Sequence, residues 1–151
     1  MKKIISLISL LLITVSSATF AAEKLAADVQ DALQQKKLFV LEGLKLTNDQ
    51  EVAFLPIYNE FQKDKMALNG QMIAVIQEFA ANYNALTNVK AGELLDSWFV
   101  SEQAMLDLKK GYLPKFEKVI TRKEVMRYYQ IENKLEVLVD YELIKAVPLA
   151  K

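Results

Sequence analysis

Acidic residues near the C-terminus have a spacing that would suit a metal site. Glu132, Glu136 and Asp140 recur every four residues, and Glu142 follows two residues later. Residues four apart share one face of a helix, and carboxylate oxygens are ligands that hard cations accept. A charged row of this kind, with Lys134 inside it, is more often a solvated helix face. We expect a solvated face, with a metal-responsive envelope protein that uses carboxylate and Met ligands as the alternative.

Two residue types that many enzymes use are missing from the sequence. The chain of 151 residues contains no Cys and no His, which excludes disulfides, thiolate zinc sites and Ser-His-Asp relays. An enzyme that uses carboxylates alone is compatible with these absences, but no acidic pair has a distinctive context. The formal net charge is zero, whereas nucleic-acid-binding proteins normally carry a basic patch. We therefore expect a protein that is not an enzyme, needs no cofactor or metal and binds no nucleic acid.

Two short segments predict helix starts that are closed by reciprocal hydrogen bonds. Segment 46–50 reads Leu-Thr-Asn-Asp-Gln, and segment 120–124 reads Ile-Thr-Arg-Lys-Glu. In such a capping box the threonine hydroxyl accepts a backbone N–H of the first turn, and the Gln or Glu three residues later accepts the threonine's own N–H. The residues of the two expected boxes are Leu46, Thr47, Gln50, Ile120, Thr121 and Glu124. Segment 86–90, Leu-Thr-Asn-Val-Lys, has only the first half of the motif.

The spacing of apolar residues predicts the elements that position these caps. Apolar residues recur at intervals of three and four, and no segment alternates with a period of two. This predicts an all-α fold of about four helices, arranged as elongated antiparallel hairpins. The expected helices are 23–42, 48–85, 88–119 and 122–146. We expect Gly43 to end the first helix in the left-handed conformation, Pro56 to kink the second, and the second to continue through the turn-like Asn69-Gly70.

The same periodicity predicts which helix faces are buried. Core packing is the ordinary interpretation of an apolar stripe at helical spacing. The stripe of the second helix includes Phe54, Phe61 and Phe79, with a gap near Lys65 that makes Met66 a candidate for exposure. The third helix carries Leu95, Phe99, Leu106, Leu113, Phe116 and Ile120 on one face, with Trp98, Met105, Tyr112 and Val119 beside it. We expect these stripes to lie in the core.

The first residues have the layout of a secretory signal. Lys2-Lys3 precedes an apolar run at 4–15, and small residues follow; this order is recognised by signal peptidase, and twelve apolar residues are too few to span a bilayer comfortably. We expect cleavage after Ala21, with Ala18 as second choice. A single domain, 22–151, would remain with 17 basic and 19 acidic residues, a net charge of −2, and no integral membrane segment. The expected location is the periplasm of a Gram-negative envelope.

Basic residues gather around the junction of the third and fourth expected helices. They are Lys115, Lys118, Arg122, Lys123 and Arg127. We interpret them as a candidate contact patch for an acidic protein or a membrane surface, although small charge clusters usually serve solvation alone. Glu132 falls near the apolar stripe of the fourth helix, so we expect it to be partly buried beside Arg122, Lys123 or Arg127.

The Leu-Thr-x-x-Gln segment at 46–50, its weaker copy at 120–124 and the long helix after the first of them resemble the LTxxQ family of periplasmic proteins, the Spy/CpxP-like proteins. The resemblance covers about residues 46–143 and includes export, length and the lack of Cys. Members of that family are small, elongated helical proteins, often dimers shaped as a curved cradle. Some chaperone unfolded proteins without ATP, and some modulate a sensor kinase. The resemblance implies a non-enzymatic periplasmic binding protein, chaperone-like or an accessory in envelope-stress signalling, with a protein partner or unfolded client and homodimers among its expected forms.

Overall fold

The computed structural model describes the backbone of residues 18–150 and the side chains of 29–141, 145 and 147–150. These residues form α1 (Ala18–Leu44), α2 (Asn48–Asn82), α3 (Asn88–Phe116) and α4 (Arg122–Ala146), with a 3-10 turn at Tyr83–Ala85 and no strand. The expected all-α fold of about four helices is confirmed. Residues 1–17, which include the charged start and apolar run of the expected signal, lie outside the described residues.

Three of the four helices begin directly after a threonine. Thr47, Thr87 and Thr121 precede α2, α3 and α4, as the sequence predicts. The second helix passes through Asn69-Gly70 without a break, and the 3-10 turn then carries the chain to Ala85. Pro56 lies inside α2, where it removes one backbone donor from the helix.

The end of α1 differs from the prediction. The helix includes Gly43 and ends at Leu44, and the residue with positive φ is Lys45, at 56°. The Lys45 N–H donates to the Leu41 carbonyl at 3.1 Å. Gly43 has a different role, because a Cβ atom there would lie 2.6 Å from Cδ1 of Ile131. The glycine therefore allows α1 and α4 to approach closely, and it does not terminate the helix.

The end of α3 also differs, because the helix stops at Phe116 and not at 119. The Lys118 N–H donates to the Lys115 carbonyl at 3.3 Å, and the Val119 N–H donates to the Phe116 carbonyl at 3.0 Å. Bonds of this i→i−3 type tighten the last turn and satisfy its carbonyl groups. The chain thus leaves the helix before the buried Ile120.

The contacts of the chain divide it into two compact units. The first contains α1 with Met126–Ala146 of α4, and the second contains Thr47–Val125 with the residues that follow α4. Buried apolar residues of the first unit are Val40, Leu44 and Tyr128; those of the second are Phe54, Tyr58, Phe61, Leu94, Tyr112, Phe116, Ile120 and Val125. A single domain spanning 22–151 stays a prediction.

In the first unit a buried ion pair joins α1 to α4. The Lys36 Nζ lies 3.0 Å from Glu132 Oε2, with the Glu132 side chain 2% exposed. The expected burial of Glu132 beside a basic residue is confirmed, but the expected partners Arg122, Lys123 and Arg127 are wrong. The partner comes from α1, which packs on the face of α4 that carries Glu132. Arg127 instead donates from Nε to a carbonyl of the last turn of α1, at 2.6 Å.

In the second unit α2 and α3 form an antiparallel hairpin. Phe61 of α2 packs with its ring centroid 5.1 Å from that of Tyr112 and 5.9 Å from that of Phe116. At the other end of the hairpin, Glu78 of α2 pairs with Lys90 of α3. Residue numbers therefore rise along α2 as they fall along α3. Aromatic pairs contribute about 0.5–1.5 kcal/mol each beyond the area that they bury, so this cluster holds the hairpin closed.

Candidate functional site

The first expected capping box is present at the start of α2. Thr47 Oγ1 accepts the Gln50 N–H at 3.3 Å, and Gln50 Oε1 accepts the Thr47 N–H at 3.0 Å. These bonds satisfy two of the backbone donors near the helix start. Leu46, the apolar residue before the cap, is half-buried. The local sequence pattern alone specified this arrangement.

The second expected box is present at the start of α4. Glu124 Oε2 accepts the Thr121 N–H at 2.7 Å and the Thr121 hydroxyl at 2.8 Å. The Glu124 N–H donates back to Thr121 Oγ1 at 3.3 Å. Ile120 and Val125, which flank the cap as a hydrophobic staple would, are both buried.

The two boxes bind each other, which the sequence did not predict. Gln50 Nε2 donates to both carboxylate oxygens of Glu124, at 3.2 and 3.1 Å, across 74 residues of sequence. We term Thr47, Gln50, Thr121 and Glu124 the cap clasp. Because its polar groups bind one another, the clasp fixes the starts of α2 and α4 rather than presenting a free binding site.

The clasp stabilises the charged form of Glu124. The Thr121 backbone N–H lowers the pKa of this carboxyl most, the Thr121 hydroxyl and the Gln50 amide lower it further, and partial burial opposes them. The positive end of a helix dipole also favours a carboxylate in the first turn. The net result is a Glu124 pKa below its usual value.

The cap of α3 is simpler, as the sequence predicts. Thr87 Oγ1 accepts the Lys90 N–H at 3.1 Å. A lysine side chain cannot accept a hydrogen bond, so no reciprocal bond closes a box. Lys90 instead pairs with Glu78 and with Glu93, and these carboxylates raise its pKa.

The expected basic patch is largely occupied by local contacts. Lys115 pairs with Glu60 at 3.2 Å, and Arg122 pairs with Glu117 at 2.8 Å. Arg127 donates to α1 in the first unit. The two further members of the patch are Lys118 and Lys123, both exposed. Three of the five basic residues are thus engaged in contacts within the protein.

The acidic row is not gathered into a metal site in the part of the chain whose side chains are described. Glu132 is buried in its ion pair with Lys36. No group of three or more Asp or Glu side chains there converges as metal ligands would. The Glu142 side chain lies outside the described set.

The burial of α3 departs most from the prediction. The stripe that contains Leu95, Phe99 and Leu106 was expected in the core, but these side chains are exposed. Met66 of α2 is exposed, as expected. Six large apolar side chains of the hairpin are 38% to 65% exposed: Met66, Ile73, Leu95, Trp98, Phe99 and Leu106. We term these six residues the apolar side.

Helix geometry places these six residues on one side of the hairpin. Met66 directly follows the buried Lys65, and Leu95 directly follows the buried Leu94. One residue is a rotation of about 100° around the helix axis. Because α2 and α3 are antiparallel, the same sense of rotation on both helices leads to the same side of the pair. Ile73 and Leu106 likewise follow the half-buried Met72 and Met105. Phe99 lies four residues after Leu95 and so on the same face. Trp98 lies four residues after the buried Leu94, a rotation of about 40° toward the apolar side, and its side chain is 42% exposed.

The opposite side of the hairpin is polar. Its residues directly precede the buried stripe: Glu60 comes before Phe61, and Asp64 comes before Lys65. Asp64 Oδ2 accepts the Tyr112 hydroxyl at 2.6 Å, and burial together with Asp64 raises the pKa of that hydroxyl. Lys115, whose Nζ also lies 4.1 Å from the centre of the Tyr112 ring, pairs with Glu60. The hairpin therefore carries ion pairs between α2 and α3 on one side and the six residues of the apolar side on the other.

Two features of the sequence indicate the apolar side, although the helical periodicity alone predicted that its α3 residues are buried. Segment 66–77 has no charged residue, and Trp98, Phe99 and Val100 are three large apolar residues in succession. Consecutive residues of a helix point about 100° apart, so one neighbouring helix cannot cover all three. A single packed partner leaves some of them exposed.

Comparison with known proteins gives no relative: no family model matches the sequence, and no curated protein or solved structure matches it. Within residues 18–150, no helix is long and apolar enough to cross a membrane. The exposed apolar side of the α2–α3 hairpin is the candidate functional site.

Proposed function

We propose that this chain is a non-enzymatic, exported helical protein that binds apolar segments of other polypeptides, as a chaperone-like protein or envelope-stress accessory of the LTxxQ type. The observation that supports this function is the apolar side, where six large side chains share one exposed surface. Exposed apolar patches larger than a few hundred Å² are uncommon on monomeric soluble proteins and typically mark interaction sites.

The residue types of the apolar side suit a polypeptide ligand. Trp98 and Phe99 are of the aromatic class that is enriched at protein interfaces. Met66 has a flexible, polarisable side chain that adapts to differently shaped apolar partners. Aromatic anchors beside an adaptable Met favour recognition of varied apolar segments over recognition of one rigid surface.

The rest of the hairpin gives this surface a firm support. The aromatic cluster and the ion pairs of the polar side hold α2 against α3, and the cap clasp fixes the start of α2. A ligand can thus reach the apolar side without prior unfolding of the hairpin. Export and the LTxxQ relationship rest on the signal-like first residues and on the two capping boxes. The metal-responsive alternative has no comparable observation in its favour.

Aggregation of an unfolded client protein tests the proposal. The purified protein should delay aggregation at near-stoichiometric amounts. Phe99→Ser and Leu106→Ser remove exposed apolar groups from the apolar side and should each reduce the protection several-fold. The measurement is light scattering of a chemically denatured client after dilution.

Val100→Ser is the matched control for Phe99→Ser. The two neighbouring side chains are 67% and 65% exposed, but Val100 directly precedes the buried Ser101 and so lies away from the apolar side. The control should protect the client as well as the unsubstituted protein does. The proposal would be contradicted if the unsubstituted protein gave no protection. It would also be contradicted if Phe99→Ser and Val100→Ser lost protection equally while their helix content stayed unchanged.

A further inference from the structure

Carboxylates accompany the apolar side along α3. The exposed row of this helix follows intervals of four, three and four residues: Leu95, Phe99, Glu102 and Leu106. Residues at these intervals lie on one face of a helix, so Glu102 stands between apolar members of the surface. Asp96 and Asp107 each directly follow a member of the row and lie about 100° further round the helix. All three carboxylate side chains are exposed, which places negative charge within the surface and at its outer edge.

Little positive charge offsets these carboxylates. Residues 66–107, which span the apolar side, contain five acidic residues and one basic residue, and their net charge is −4. The basic residue is Lys90, whose ammonium group is paired with Glu78 and Glu93. The next basic residues along α3 come after Leu106, the last member of the exposed row. Charge complementarity therefore favours a positively charged occupant for the apolar side.

The aromatic residues of the apolar side have the same preference. Trp98 is 42% exposed and Phe99 is 65% exposed. The face of such a ring attracts a Lys ammonium or an Arg guanidinium that lies within about 6 Å of its centre. The chain makes one contact of this kind on the polar side of the hairpin, where the Lys115 Nζ lies 4.1 Å from the centre of the Tyr112 ring. Exposed carboxylates and exposed rings thus favour the same charge by two separate interactions.

We infer that the apolar side binds basic amphipathic segments, which are stretches of polypeptide with apolar side chains on one face and Lys or Arg beside them. The inference rests on the proposed function and names the class of ligand that this surface takes. The apolar side chains of the segment contact the six residues of the apolar side. The Lys and Arg side chains reach Glu102 and the two aspartates at the outer edge, or lie over the exposed rings.

The length of the surface sets the length of the segment. The exposed row extends from Leu95 to Leu106, which is about 16 Å along the helix axis. A helical segment of about twelve residues has the same length and can lie along the hairpin with its apolar face inward. An acidic segment would instead bring like charges together. Anionic lipid headgroups would be repelled for the same reason, so a membrane surface is not the occupant that the charge favours.

Fluorescence anisotropy with three labelled peptides tests the class of ligand. Each probe has twelve residues with Leu at helical spacing, and its other positions are all Lys, all Gln or all Glu. The purified protein should bind the Lys peptide about tenfold more tightly than the Gln peptide, and the Glu peptide most weakly. Raising NaCl from about 0.05 M to about 0.5 M should weaken binding of the Lys peptide several-fold, because salt screens exposed charges. Binding of the Gln peptide should not weaken.

Two charge reversals on α3 locate the binding surface. Glu102→Lys and Glu93→Lys change the net charge equally, and both side chains are exposed. Glu93 directly precedes the buried Leu94, so it lies toward the polar side of the hairpin. Glu102→Lys should weaken binding of the Lys peptide at least about threefold and strengthen binding of the Glu peptide. Glu93→Lys should change either affinity less than about twofold, and Phe99→Ser should weaken binding of all three peptides.

The outcomes separate this inference from the proposed function. Equal affinity for the three peptides, with a loss in Phe99→Ser, overturns the ligand class and leaves the function standing. Client protection without binding of any peptide does the same. The expected preference for the Lys peptide, without protection of any client, supports the ligand class and removes the chaperone-like function.

Three further results would overturn the inference by assigning the surface differently. The first is equal weakening of Lys-peptide binding by Glu102→Lys and Glu93→Lys, or no weakening by Phe99→Ser, since the peptide would then bind elsewhere. The second is binding to phosphatidylglycerol vesicles in place of the peptides. The third is association of two chains, dissolved by Phe99→Ser, when no peptide binds.

Discussion

Glu124 is the residue that links the two capping boxes, because it accepts bonds from its own cap and from Gln50. Glu124→Gln preserves the side-chain size but places an amide where a carboxylate accepts from several donors. Since hydrogen bonds to charged groups contribute about 1.5–3 kcal/mol and Glu124 is only partly buried, we expect the free energy of unfolding at pH 7 to fall by about 1–2 kcal/mol. Urea denaturation followed by circular dichroism measures this change.

The contribution of the Glu124 carboxylate to the free energy of unfolding should decrease at low pH. The folded-state pKa of Glu124 is below its usual value of 4.5. A lowered folded-state pKa contributes stability that is fully present above the unfolded-state pKa and is lost as the pH falls through the folded-state pKa. The difference between Glu124→Gln and the unsubstituted protein should therefore be constant near neutrality and shrink below about pH 4.5.

Glu117→Gln is the control for this prediction. Glu117 accepts from Arg122 in a pair whose arginine is exposed, and such surface pairs contribute about 0–1 kcal/mol. The assigned role of the clasp would be contradicted if Glu117→Gln lowered the free energy of unfolding as much as Glu124→Gln does. It would also be contradicted if the destabilisation by Glu124→Gln grew as the pH falls.

At the residue scale, the sequence predicts contacts that are local. Each capping box joins residues three positions apart, so five letters define its hydrogen bonds. The Gln50–Glu124 link joins residues 74 positions apart, and no local pattern specifies which distant side chain meets the free amide. The ion pair of Glu132 shows the same limit, because its burial follows from the apolar stripe whereas Lys36 lies on another helix.

At the scale of the elements, two glycines in helices should respond differently to substitution by alanine. Gly70 lies inside α2, and a Cβ added there would meet no neighbouring group within 4 Å, whereas a Cβ at Gly43 would lie 2.6 Å from Ile131. Alanine is more favourable than glycine in a helix interior by about 0.8–1.0 kcal/mol. We expect Gly70→Ala to raise the free energy of unfolding by about 1 kcal/mol and Gly43→Ala to give less or no gain.

A double substitution tests the reason for that difference. Ile131→Val removes the terminal methyl group that a Cβ at position 43 would meet. Gly43→Ala should therefore be more favourable in the Ile131→Val background than in the unsubstituted protein. Purely additive effects of the two substitutions in thermal denaturation would show that close packing is not why glycine occupies position 43.

The elements also show why apolar periodicity overstated the core. A period of three to four residues identifies the faces of a helix, but it does not say how many neighbours cover them. Tyr112 and Phe116, in the C-terminal half of α3, are buried as expected, whereas Leu95 and Phe99 in the N-terminal half are exposed. One packed helix covers one stripe, and α3 carries apolar residues on a wider arc than that. The unpredicted exposure is what defines the candidate site.

At the scale of the whole molecule, the expected cleavage of a signal peptide would determine which residues the mature chain contains. The described helix α1 begins at Ala18, so cleavage after Ala21 would shorten it by about one turn and leave Glu23 in its new first turn, where the helix dipole favours an acid. Cleavage would also remove Lys2 and Lys3, which changes the net charge from zero to −2. We therefore expect the processed protein to keep the fold of its two units.

Mass spectrometry of the protein from the envelope fraction of a Gram-negative host tests this processing. The expected mature chain begins at Ala22 and has 130 residues. Leu11→Asp interrupts the apolar run that the export machinery recognises and should leave the full-length chain in the cytoplasm. Recovery of full-length, unsubstituted protein from the envelope fraction would instead indicate an uncleaved N-terminus. The proposed client binding outside the cytoplasm requires that the mature chain beginning at Ala22 is found in the envelope fraction. Only delivery across the inner membrane would bring the apolar side to exported polypeptides.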